Sequence, residues 1–321
     1  MMRRPDTAEV LGAVRRGGWT LGIYLVLLGL VIYTWILNSR YGLDTLAMAA
    51  LPLAFAAAGQ AVVVISGGID LSVGAMMALT SVTAAVLMKN AGEEVAVVVV
   101  ALVLLLGIAV GAVNGTLAVI TRVPDIVVTL AMSYVWAGTA LLVLDRPGGG
   151  AAEWVQDVVK GDLLDLVPRA TVILALVVGI AWVPLRRSRL GLSLYALGSH
   201  PLAAFRSGVP VQRTKVASYA ICGFFAAAGG LALTATTGIG TPTTGDYTLK
   251  AVAAIVLGGV SLAGGRGGIL GPIAAAYVLA IIRADLVFMG VDPNYSTMIQ
   301  GGIMVLVVMV AGYLELRRRR R

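Results

Sequence analysis

Apolar runs long enough to cross a bilayer follow one another along almost the whole chain. They lie at 19–38, 45–66, 71–88, 95–120, 124–144, 169–185, 215–236, 248–262, 268–290 and 294–315. A helix needs about 20 mostly apolar residues to span the hydrocarbon. Only 12% of the 321 residues are charged, against roughly 25% in a soluble domain. So little charge cannot cover a water-facing surface, and lipid is therefore the solvent for most of the chain. The runs are continuous and lack the period-two polar face of a membrane barrel. The expected class is an all-α polytopic membrane protein of about ten transmembrane helices, some broken or re-entrant.

Ten crossings would put both termini on one side, and the basic residues agree. Of 24 Lys and Arg, 17 fall on one side: Arg3, Arg4, Arg15, Arg16, Arg122, Arg186, Arg187, Arg189, Arg206, Arg213, Lys215, Arg266 and Arg317 to Arg321. The other side takes Arg40, Lys89, Arg146, Lys160, Arg169, Lys250 and Arg283. By the positive-inside rule the first side is cytoplasmic. The domain reading is a cytoplasmic segment 1–18, one permease domain 19–315 with an inner loop at 186–215, and a basic tail 316–321. The run from Trp19 is too long for a signal-peptide core, so it reads as a retained first helix.

Several chemistries drop out. The net charge of +8 sits in short clusters between apolar runs, which orients membrane helices rather than binding nucleic acid. One Cys and one His exclude an intramolecular disulfide and Cys/His metal sites, and no cofactor is expected. No GxxxxGK[ST] phosphate loop occurs, so ATP would have to be hydrolysed elsewhere. No Ser/His/Asp or paired-Asp constellation sits in the apolar runs, so no catalytic residue is assigned.

Two apolar runs break at nearly the same glycine phrase, Ser66-Gly67-Gly68-Ile69-Asp70-Leu71-Ser72-Val73-Gly74 and Leu257-Gly258-Gly259-Val260-Ser261-Leu262-Ala263-Gly264-Gly265. In lipid, non-helical backbone survives only where protein or a water-filled cavity satisfies it. Such breaks point to a transport path, and corresponding breaks point to internal repeats. The 248–262 segment is short enough to re-enter rather than span.

The inner loop carries a compact helix signal. Ser199 or His200 can cap, Pro201 suits the first helical position, and Gly208 suits the stop. Leu202, Phe205 and Val209 recur at helical spacing and form one apolar face. That face fits either a soluble partner or an anionic bilayer surface.

The stretch from Leu194 to Val209 resembles the coupling segment of ribose-type sugar permeases of ABC transporters. Val64 to Gly74 and Ala253 to Gly268 resemble the same family, in the same order and spacing, and the likeness runs from about residue 41 to 310. The resemblance implies a homodimer of permease subunits in a bacterial-type plasma (inner) membrane. It implies a cytoplasmic ATP-binding cassette subunit and an extracytoplasmic solute-binding protein as partners. It also assigns ATPase coupling to Gly198, Ser199, His200, Pro201, Leu202, Ala203, Ala204, Phe205, Arg206 and Gly208. The chain departs from the family by Ser199-His200-Pro201, where a pair such as Gly-Asn is common. Acidic or amide residues are frequent where this chain has Lys250, Arg283 and Asp285, so the two basic positions depart from the pattern.

Candidate gate or pathway residues are Gly67, Gly68, Asp70, Gln60, Asn114, Thr236, Thr237, Gly258, Gly259, Arg283 and Asp285. Each has a plainer alternative. Asp70 can be a helix cap, and Gln60 and Asn114 can bond neighbouring helices. The threonines can bond helix backbone. Arg283 and Asp285 are two apart, so they point to different helix faces. The reading is an importer permease for a monosaccharide. Nucleosides or branched-chain amino acids are the alternative cargo, and an ion-coupled secondary transporter is the remoter rival.

Overall fold

The computed structural model describes residues 7–38, 42–163, 167–244 and 246–319. Arg3, Arg4, Arg40, Arg320 and Arg321, which entered the charge argument, lie outside them. The described chain is helical almost throughout. In order come α1 (Thr7–Leu37), α2 (Leu43–Ile65), α3 (Val73–Met88), α4 (Glu93–Thr121) and α5 (Asp125–Val143). Then follow α6 (Glu153–Asp157), β1 (Asp162–Leu163), β2 (Val167–Pro168), α7 (Arg169–Arg187), α8 (Arg189–Ser199) and α9 (Pro201–Arg206). The chain finishes with α10 (Val211–Thr237), α11 (Asp246–Leu257), α12 (Leu270–Phe288) and α13 (Pro293–Arg319). Among the described residues seven helices are long and apolar enough to cross a membrane: α1 from Trp19, α2, α4, α5, α7, α10 and α12. The protein is an all-α polytopic membrane protein.

Burial orders these helices around α2. Its apolar window is 89% buried, whereas those of α1 and α5 are only 11% buried. The rim helices spend their apolar side chains on lipid: Leu21, Leu25, Trp35, Tyr134 and Leu142 are all exposed. Helix α2 packs against α10, α11, α12 and α7, and its side chains from Leu51 to Ile65 are buried without exception. A helix apolar on every face belongs in such a centre.

The closest helix pair is α4 with α10. Gly107, Gly111 and Gly115 repeat every fourth residue, placing a stripe without side chains along one face of α4. A methyl added at Gly111 would lie 2.1 Å from the Tyr219 carbonyl oxygen, and one at Gly107 would lie 2.4 Å from that of Gly223. The backbones therefore touch, and any larger residue would push the helices apart.

Boundaries differ from the sequence runs where backbone conformation rather than hydropathy decides. Helix α1 begins at Thr7, ahead of the apolar run. The run at 71–88 becomes helical only at Val73, and the run at 248–262 yields a helix of 12 residues that ends at Leu257. Pro124 precedes α5 as its N-cap. Gly42 occupies the N-cap of α2, with Asp44 in the first turn. The loop at 145–168 folds into α6 and a two-strand ladder pairing Leu163 with Val167.

Candidate functional site

The two glycine phrases end their helices with the same hydrogen-bond pattern. At the end of α2, Ser66 N donates to Val62 O, Gly67 N to Val64 O and Gly68 N to Val63 O. At the end of α11, Gly258 N donates to Ala254 O, Gly259 N to Val256 O and Val260 N to Ile255 O. Gly67 and Gly259 occupy equivalent places with φ of 88° and 82°. This left-handed turn needs glycine, because a side chain there meets the carbonyl. The likeness of the phrases is thus a likeness of backbone.

Both breaks converge on the inner loop. Gly265 N donates to Ile65 O at 2.9 Å, joining the second break to the end of α2. Gly198, at the end of α8, sits between them. A methyl there would lie 1.9 Å from Ile65 O and 2.6 Å from Gly265 N. One at Gly264 would lie 3.0 Å from Gly67 Cα. Tyr195 Oη donates to Gly267 O at 2.8 Å, tying α8 to the second break once more. Burial lifts the Tyr195 phenol above its ordinary pKa, with the nearby Arg186 charge opposing, so it stays a donor at neutral pH. On the far side, Trp19 Nε1 of α1 donates to Leu257 O at 2.8 Å. Three motifs far apart in sequence therefore form one knot of backbone contacts.

Helix α9 projects from this knot. The imidazole of His200 accepts at Nδ1 from Ala203 N at 3.2 Å, Pro201 opens the helix, and Gly208 closes it at φ 80°. Ala204 is buried, while Leu202 and Phe205 are 53% and 67% exposed. Pro201, Ala203, Arg206 and Ser199 are exposed as well. Val209 is half-buried, so it extends the apolar face less than its spacing suggests.

Behind the first break lies a buried polar chain. Trp136 Nε1 donates to Asn114 Oδ1 at 2.9 Å, Asn114 Nδ2 to Ser72 Oγ at 2.7 Å, and Ser72 Oγ to Asp70 Oδ1 at 2.6 Å. Ser72 N also donates to Asp70 Oδ1, at 2.8 Å. Thr129 Oγ1 accepts from Leu71 N at 3.0 Å, and Tyr219 Oη donates to Ile69 O at 3.4 Å. Peptide groups freed between residues 66 and 72 are thereby met by Asp70, by α5 and by α10, while α4 holds the Ser72 side chain, as a membrane interior requires. Lys215 Nζ and Asp125 Oδ1 pair at 2.5 Å beside Gly68. Asp70 and Asn114 thus hold the break in shape.

The other candidates scatter. Gln60 is fully buried in α2, and neither end of its amide has a hydrogen-bond partner among the described residues. Thr236 and Thr237 donate to Leu233 O at 3.1 and 2.7 Å, closing the last turn of α10. Asp285 faces α1, where Thr34 Oγ1 donates to its Oδ1 at 2.8 Å. Arg283 is exposed on the opposite side of α12. Lys250 pairs with Asp246 and lies 5.9 Å above the Tyr247 ring. Among the described residues no cluster of His, Cys, Asp or Glu suits a metal ion.

A second feature was not legible from hydropathy. After α10 the chain runs extended along α3 before α11 begins. Thr241 N donates to Ser81 Oγ at 3.2 Å, Thr244 Oγ1 to Gly74 O at 2.5 Å, and Gly74 N to Thr248 Oγ1 at 2.9 Å. A methyl at Gly240 would lie 2.7 Å from Ala85 Cβ, and from the level of Ala85 to that of Gly74 is about 16 Å at 1.5 Å per residue. The threonines between 234 and 248 supply the hydroxyls this extended stretch needs against α3.

Residues 42–308 match the family described as Branched-chain amino acid transport system / permease component. The ribose import permease protein RbsC of Escherichia coli K12 is 35% identical over 267 residues, covering 80% of this chain and 81% of that protein. The protein of the same name in Bacillus subtilis 168 is 34% identical over 300 residues, covering 90% and 92%. The autoinducer 2 import system permease protein LsrD of Escherichia coli O9:H4 is 31% identical over 254 residues, covering 77% and 76%. No solved structure matches the chain. The family match spans the glycine knot, α9 and both broken segments, and the chain accordingly belongs to the branched-chain amino acid transport system permease family.

Proposed function

We propose that this chain is the transmembrane permease subunit of an ATP-driven, binding-protein-dependent importer for a monosaccharide of the ribose type. The observation that carries the reading is the convergence of α8 and α9 with both helix breaks. A partner gripping Leu202 and Phe205 moves a rod whose root, Gly198, touches the end of α2 and the glycine loop that follows α11 at once. Nucleotide-driven closure of a cytoplasmic ATPase pair then shifts both broken crossings together. Two copies of the chain form the path, with both termini and α9 on the cytoplasmic side. With the seven long apolar helices and α13, a third crossing made of 66–72 with α3 and an eighth made of 238–244 with α11 bring the total to ten.

Cargo follows from two supports. Relatives in the family are ribose and autoinducer 2 import permeases by name. The polar groups near the breaks are mostly uncharged: threonine hydroxyls beside α3 and the amide of Gln60 in α2, which has no partner among the described residues. Hydroxyls and amides can meet a sugar without the cost of burying charge. The ion-coupled alternative needs a titratable group on the path, and Asp285 instead packs against α1.

The test is co-expression with candidate ATPase and solute-binding partners, followed by uptake of labelled pentoses, hexoses, nucleosides and branched-chain amino acids into inverted or right-side-out vesicles. ATP-dependent pentose accumulation is expected. Accumulation without any nucleotide-hydrolysing partner would reject the reading.

A further inference from the structure

The glycine stripe that joins α4 to α10 stops at Gly115, and a groove opens where it stops. At Gly115 the backbones still touch, since an added methyl would lie 2.9 Å from Val216 Cα. One helical repeat further, position 119 is Val, so the stripe without side chains ends there. A groove of about 410 Å³ lies between the two helices at that level, lined by Thr116, Val119, Gln212, Arg213, Val216 and Ala217. Its floor is mostly apolar. Its mouth carries Arg213, which is exposed and makes no ion pair among the described residues. The first peptide N–H groups of α10 lie at the same end. Exposed Val113 and Ile120 flank the groove on α4, so it opens sideways onto the surface that lipid covers.

We propose that this groove binds an anionic phospholipid, with one acyl chain laid along Val119, Val216 and Ala217 and its phosphate at Arg213. Three features of the page select that occupant over a protein partner. The trough is apolar and lies between two membrane-crossing helices, its open side faces lipid, and its only charged lining residue is a cation. Basic groups between helices at a membrane boundary recruit acidic headgroups in just this way. Because Val209 and Pro210 lead directly from α9 into α10, the bound lipid would sit against the root of the coupling loop. The inference does not depend on the nature of the transported solute.

Two experiments test it on the purified full chain. In vesicles containing a photoreactive phosphatidylglycerol, the wild-type cross-link should map to the α4 segment around Thr116 or the α10 segment around Ala217. A cross-link confined to other helices overturns the proposal. In native mass spectrometry, Arg213→Gln should lower retention of one phosphatidylglycerol by about fivefold, the fold-change of one basic contact at an anionic surface, and leave phosphatidylcholine unchanged. Ala217→Leu, which fills the trough, should lower retention of both lipids. Equal retention by Arg213→Gln and wild type, or an equal loss with Arg187→Gln on α7, overturns the proposal.

Discussion

Gly198 shows how much one residue can decide. Its α-carbon lies so close to Ile65 O and Gly265 N that a methyl has no place to go, and the obstacles are backbone atoms that cannot rotate away. Gly198→Ala should therefore cost about 1–3 kcal/mol of overpacking. It should also separate α8 from the breaks, so that thermal stability falls modestly and transport falls far more. Equal, small losses in both would mean that the contact is mere packing. Asn114 is the second such residue. It is fully buried and bonds both Ser72 and Trp136. Asn114→Ala leaves Trp136 Nε1 without its partner, at about 1–3 kcal/mol, while Ser72 keeps its bond to Asp70, and a drop in melting temperature in detergent checks it. Asp285→Asn, by contrast, keeps its contact with Thr34 and should leave ATP-dependent uptake intact.

At the scale of elements, the exposed apolar face of α9 is what the proposed coupling role rests on. Two large apolar side chains on a helix of six residues face outward beside a buried alanine. In a chain whose sole thiol, Cys222, is replaced by Ala, cysteine at Phe205 should react with an impermeant maleimide only from the cytoplasmic side. Cysteine at Glu153 should react only from the other side. Labelling of both from one side would break the proposed topology. The helix itself was readable from Pro201 and Gly208, because cap and stop signals are local. The extended run from Gly238 to Thr244 was not, because its threonines and glycines look like any loop until α3 is there to receive them. The start of α3 and the end of α11 fall inside their apolar runs because turns, not hydropathy, set them. Hydropathy marks what lipid and core accept, whereas the turn at Gly67 or Gly259 decides where the helix stops.

For the whole molecule, the sequence made the class plain, since a chain 12% charged with run after run of apolar residues has only one solvent available. It also marked the glycine phrases as important, though not that they meet. Their meeting depends on α2 lying at the centre with α8, α10 and α11 about it, which no local pattern encodes. Of the residues singled out for a pathway, Asp70 and Asn114 turn out to brace the first break, and Thr236 and Thr237 to finish a helix. Gln60 remains with a free amide, and Gln60→Leu should therefore preserve folding while slowing solute uptake in vesicles.

The central claim is that α9 is the handle through which a separate ATPase drives both broken crossings. Vesicles carrying the permease, its ATPase and its binding protein should be compared with the same vesicles bearing Leu202→Glu and Phe205→Glu, measuring solute uptake and ATP hydrolysis together. The account predicts normal membrane insertion, with uptake lost and hydrolysis no longer stimulated by the loaded binding protein. Uptake at the wild-type rate in that double variant would contradict it.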